Sequence, residues 1–95
     1  MTSKEMINCA VISGVLGENA FTKGNKTLSL LKVNRMNVNI FWNKSKNRHY
    51  KALLGKKVLI LGHFVKTHQF DKDTNRFNSI LGIKVDNMEV IEDDF

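Results

Sequence analysis

The chain has 95 residues, 42% of them hydrophobic and 25% charged, with a formal net charge of +6, one cysteine and no proline. That length makes one domain with a thin core, the composition is globular rather than disordered, and a lone cysteine leaves no intrachain disulfide and no cysteine-based zinc site. No apolar run reaches the roughly 20 residues of a membrane helix, and Met1-Thr2-Ser3-Lys4-Glu5 lacks a signal peptide's apolar stretch, so the expectation is a soluble, cytoplasmic domain with no membrane partner.

Met6 to Leu16 is rich in Val and Ile and is predicted as a first strand, bent at Gly14. Gly17 to Lys26 holds Gly17, Asn19, Gly24 and Asn25 and is expected as a turn. Thr27 to Val33 follows as a second strand. Arg35 to Trp42 alternates Met36, Val38, Ile40 and Trp42 against Arg35, Asn37, Asn39 and Phe41, a third strand with one wet face. Between Ser45, a candidate N-cap, and Gly55, a candidate C-terminal stop, Tyr50, Leu53 and Leu54 share one helical face. That spacing predicts a short helix over 46–54. Lys56 to Phe70 is a fourth strand, Asp71 to Asn75 a hairpin loop by composition, and Arg76 to Ile91 a fifth strand interrupted near Gly82 or Asp86-Asn87. Residues 92–95 form a short acidic tail after a domain spanning 1–91. Five strands with a helix between the third and fourth is the order of an OB-fold, a small all-β Greek-key barrel.

Charge is unevenly placed. From Asn19 to Phe70 there is no Asp or Glu, while the same stretch carries eleven Lys or Arg. A cationic field unbroken by carboxylates concentrates phosphate. Lysines outnumber arginines, which suits backbone contact better than the reading of base edges.

Single strands are held by cations that follow the backbone and rings that stack on bases. The candidate cations are Lys32, Arg35, Lys44, Lys46, Arg48, Lys66, Lys72 and Arg76, with His68 beside them. Phe41 shares the polar face of the third strand and is read as a contact. Trp42 stands on the opposite parity, between core and contact. Phe70 and Phe77 flank the hairpin loop, far from any core, and are read as contacts. Phe64 and Tyr50 are read as core and Cys9 as a small buried residue; Phe21 has no assigned part. His49, His63 and His68 lack metal-ligand spacing. Asp71 to Asn75 starts like a calcium loop, but Arg76 and Gly82 stand where glycine and glutamate are needed. No motif for a nucleotide cofactor is present. No cofactor, metal or catalysis is expected.

Several segments resemble the bacterial and phage single-stranded DNA-binding protein family: Met6 to Leu16, Val38-Asn39-Ile40-Phe41, Tyr50 to Gly62 and Ile83 to Ile91. The tail Glu92-Asp93-Asp94-Phe95 is similar to the acidic, Phe-terminated tip with which that family recruits replication and repair enzymes. The family's tryptophan before the third strand is replaced by Arg35 or Met36. The proline before the last Phe is missing, and so is the family's long linker, a lack in which the chain resembles the compact type exemplified by the primosomal replication protein. The resemblance implies stacking at Phe41 and Phe70, DNA replication, recombination or repair as the setting, and a dimer or tetramer. Apolar residues from Val58 to Val65 exceed what one barrel interior holds, which also points to a homo-oligomer. Asp93, Asp94 and Phe95 are either a solvated end or a peptide ligand for a partner. Two alternatives stand beside single-stranded DNA: an adaptor that binds a helicase or polymerase, and an RNA-binding module.

Overall fold

The computed structural model describes residues 7–91; the side chains of Gln69 and Phe70 lie outside that description, as do the tail positions Asp93, Asp94 and Phe95. Five strands, β1 (Ala10–Lys23), β2 (Lys26–Val33), β3 (Met36–Asn43), β4 (Lys57–Asp71) and β5 (Arg76–Val90), close into a barrel in the order β1-β2-β3-β5-β4. All neighbours are antiparallel except β3 and β5, which run parallel and pair through Ile40–Ile83 and Phe41–Lys84. No helix among the described residues is long and apolar enough to cross a membrane.

The largest departure from the sequence expectation is β1. It begins at Ala10 rather than Met6, runs on to Lys23, and bends at Gly17–Asn19 rather than Gly14. Its first half pairs with β4 and its second half with β2, and Val15 faces Lys57 on one side and Lys32 on the other. Three residues, Gly17 to Asn19, stand opposite the single residue Leu30, a bulge that the Ser29 hydroxyl fills by donating to the Asn19 carbonyl at 2.8 Å. The true turn is Gly24-Asn25 alone, with Lys23 paired to Lys26 and Gly24 at φ +62°. A left-handed glycine at the first turn position is what a tight two-residue hairpin requires.

Leu16, Leu31, Ile40, Trp42, Val58, Ile60 and Ile83 fill the barrel, joined at its margins by Ala10, Val85, Met88 and Tyr50. Strand alternation sends Ile40 and Trp42 inward and Phe41 outward. Phe64, expected in the core, is 49% exposed; it lies beyond the stretch of β4 that β1 covers. Cys9, also expected to be buried, is exposed because it precedes the first ladder pair.

The predicted helix is only partly regular. A 3₁₀ turn (Lys44–Lys46), one α-helical turn, α1 (Asn47–Tyr50), and a second 3₁₀ turn (Lys51–Leu53) span the gap between β3 and β4. The Ser45 cap does not form: Asn43 and Lys46 precede the two turns, neither with a side-chain cap bond. The apolar face is as spaced, with Tyr50 buried and Leu53 and Leu54 half-buried against the core. Asn47 ties this segment to the barrel. Its carboxamide oxygen accepts from the Trp42 indole N–H at 2.8 Å and the Thr27 hydroxyl at 2.6 Å, and its N–H donates to Thr22 at 3.0 Å. Thr27 has its one proton committed to Asn47, so the 2.8 Å contact between the two threonines is donated by Thr22. The Tyr50 ring meets Trp42 edge-on at 5.6 Å, and burial, with the charge of Asp86, pushes its hydroxyl pKa above the ordinary value.

Past its last contact with β1, β4 continues with β5 as a two-stranded hairpin. The turn Lys72–Asn75 is fixed by the Asp71 carboxylate accepting from the Asp73 N–H at 2.9 Å and by Asn75 at φ +56°. The expected break in β5 is a bulge at Asp86: Leu61 faces Asn87 and Gly62 faces Val85. The freed Asp86 carboxylate lies 2.9 Å from His63 Nδ1.

Candidate nucleic-acid interface

The outward residues of β1, β2 and β3 form a row across the sheet. Phe21 pairs with Leu28, and Leu28 with Phe41. The β4–β5 hairpin passes beside this row, and between them lies a cavity of about 480 Å³. Phe21, Leu28 and Phe41 line one side of it, and Thr67, His68, Phe77 and Ile80 line the other. Two smaller hollows of about 250 Å³ each continue it, one toward Lys66 and Lys84 and one along Leu30 and Asn39.

Phe41 is the floor. The ring lies outside the barrel core yet is only 4% exposed. Gly82 explains this: a Cβ there would run into the Phe41 ring and lie 2.7 Å from the Asn39 carbonyl oxygen. The absence of a side chain lets β5 lie flat on Phe41. Lys26 covers another side, its ammonium 5.8 Å from the ring centroid. Lys84 is the strand neighbour of Phe41 across the parallel pair.

The electrostatics follow from sequence placement. Lys23, Lys26, Lys66 and Lys84 border these connected hollows, and among the described residues no Asp or Glu lines any of them. Apolar rings set within cations and away from carboxylates are suited to a ligand with flat faces and negative charge.

Of the residues singled out from sequence, the fold gathers Phe41, Lys66, His68 and Phe77 at this groove. His68 is held by the Ser79 hydroxyl at 3.3 Å. Trp42, which the sequence leaves between core and contact and counts among the candidate binding residues, belongs to the core: it is 1% exposed and its indole N–H is committed to Asn47. Lys32 shares the outer face of β2 but pairs with Asn37, toward the far end of the hairpin, where Arg35 sits in the turn. Lys46 and Arg48 line a separate hollow with Ser45 and His49, and Lys44 adjoins it. Lys72 lies in the β4–β5 turn and Arg76 opens β5, beyond the groove. Phe70 pairs with Phe77 in backbone register.

Sequence reasoning missed Phe21, Lys23, Lys26, Leu28, Ile80 and Lys84. The signal for four of them was Gly24-Asn25: a two-residue turn there sets Lys23 against Lys26 and Phe21 against Leu28.

Because Phe41 is buried and Phe21 is 70% exposed, their alanine variants should behave differently in thermal melts. Phe41→Ala should lose about 3–5 kcal/mol, the range for truncating a packed aromatic. Phe21→Ala should stay within about 0.5 kcal/mol of the parent. Equal melting temperatures for the two variants would contradict this division of labour. Compared with known proteins, the chain matches no family model and no curated protein.

Proposed function

We propose that this chain is a non-enzymatic single-stranded nucleic-acid-binding protein, an OB-fold barrel that acts in the cytoplasm on DNA replication or recombination intermediates. The observation that carries the reading is the groove: exposed and floor-lying rings bordered by four lysines, with no carboxylate among the described residues that line it. The strand order β1-β2-β3-β5-β4 and the helical segment between β3 and β4 support the OB-fold assignment. Bases stack on the rings and lysines follow the phosphates, so binding is tolerant of sequence. Duplex DNA is a poorer fit, since its bases are already stacked and α1 has only four residues to offer a groove.

The reading includes a homo-oligomer. On the outer face of β1 and β4, Val11 pairs with Leu61, and the two are 66% and 41% exposed. Light scattering should return a multiple of the 10.9 kDa chain mass; the mass of one chain would contradict association.

The binding claim is tested by fluorescence polarisation of labelled oligo-dT across a salt series. Four phosphate contacts on a single strand predict a slope of log K against log salt of about −3. Absence of binding at low salt, or tight binding that salt leaves unchanged, would overturn the proposal. An RNA competitor that displaces the DNA at lower concentration would move the reading to RNA through 2′-hydroxyl contacts.

A further inference from the structure

The outward face of the sheet carries two successive rows of unlike chemistry. The first is Phe21, Leu28 and Phe41. The second lies two residues along β2 and β3, about 7 Å away: Leu30 is paired with Asn39, and the bulged Asn19 stands on the β1 side. This second row, with Phe21, Leu28 and Ser29, lines a hollow of about 250 Å³. Among the described residues no charged side chain borders it, whereas lysines border the other two hollows of the groove. Its polar groups are few. The Ser29 hydroxyl has given its proton to the Asn19 carbonyl. The Asn39 Nδ2 lies 3.5 Å from the Leu81 carbonyl oxygen, a long bond that nevertheless orients the side chain. A carbonyl only accepts, so the amide nitrogen is the end turned to Leu81 and Oδ1 points away from it. That oxygen has no hydrogen-bond partner among the described residues.

We propose that Asn39 is a specificity-determining residue: the hollow over Leu30 takes one nucleobase of the bound strand, and the Asn39 carboxamide selects adenine there. The inference rests on the groove being a single-strand site and adds one position at which sequence matters. An uncharged hollow suits a base rather than its phosphate, which belongs with Lys23 and Lys26 in the adjoining cavity that shares Phe21 and Leu28. Leu30, 44% exposed, gives the base an apolar floor. Asn39 is only half-buried, so an edge can reach it. Adenine sets an amino donor next to a ring-nitrogen acceptor on both of its edges, the pair that an asparagine oxygen and N–H match. Cytosine has that pair on one edge only, and thymine has no amino group to give the waiting Oδ1.

The test compares the affinity of a short oligo-dT with that of the same oligomer carrying a single internal dA, dC or dG. The dA oligomer should bind tighter than all-dT by about 5- to 150-fold, the range of one good bidentate base contact. Replacing that adenine with purine, which lacks the amino group, should return the affinity to the all-dT value. In Asn39→Ala the ratio of dA to all-dT affinity should fall to within about twofold of one, with a melting curve confirming the fold; should that variant not fold, the amino-less purine decides with the parent protein alone. Salt-dependent binding that is equal for all four oligomers would overturn the base-reading role and leave the groove reading standing. A preference for a different base, a dA preference that survives loss of the amino group, or one that survives in folded Asn39→Ala would overturn it as well. A parent protein that binds none of the oligomers at low salt would remove both readings.

Discussion

The structure turns on the closure of the barrel between β3 and β5. Only Ile40–Ile83 and Phe41–Lys84 pair across that seam, and a bare glycine, Gly82, lies against the outer ring next to it. A side chain at position 82 would collide with Phe41 and with the Asn39 backbone, and β5 would have to stand off from the sheet. The seam does two things at once. Inward it seals Ile40 and Ile83 into the core, and outward it pins Phe41 flat as the floor of the groove. It also sets where β4 and β5 leave the barrel, and hence where the hairpin carries Phe77 and His68.

From that seam the molecule divides into two chemistries on the two faces of one sheet. Alternation along β3 gives Trp42 to the inside, where Asn47 satisfies its indole, and Phe41 to the outside, where lysines surround it. The polar network of Asn47, Thr22 and Thr27 closes the barrel end without leaving a buried polar side-chain atom unpaired among the described residues. Carboxylates are kept elsewhere: Glu18 sits near Gly55 and Asp86 is turned to His63. Among the described residues, the groove therefore sets rings and lysines beside uncharged side chains, with no carboxylate.

Much of this was legible in the sequence. The period-2 pattern of Arg35 to Trp42 placed Phe41 outward, and the acid-free stretch from Asn19 to Phe70 anticipated the bare cationic face. Tyr50, Leu53 and Leu54 marked the apolar side of the helical segment, and Gly55 its end. What escaped were features set by pairing rather than by pattern. Nothing in residues 17–23 alternates cleanly, because the bulge at Gly17–Asn19 shifts the phase, so the second half of β1 read as loop and Phe21 had no place. Trp42 was ambiguous because a strand end can face either way; barrel closure buries it, and Asn47 five residues on satisfies its indole. Lys84 gains its role from the parallel pair with Phe41, a contact between positions 43 residues apart that no local rule supplies.

The central claim is that the face between the β2–β3 sheet and the β4–β5 hairpin is where a single strand lies. The most direct measurement is a map of amide chemical-shift changes as a short oligo-dT is titrated into isotope-labelled protein. The account predicts the largest changes at Phe21, Lys26, Leu28, Phe41, Phe77 and Ile80, with the 44–53 segment and the outer face of β1 and β4 changing little. Changes centred on Ser45 to His49, or spread evenly over every lysine, would contradict it.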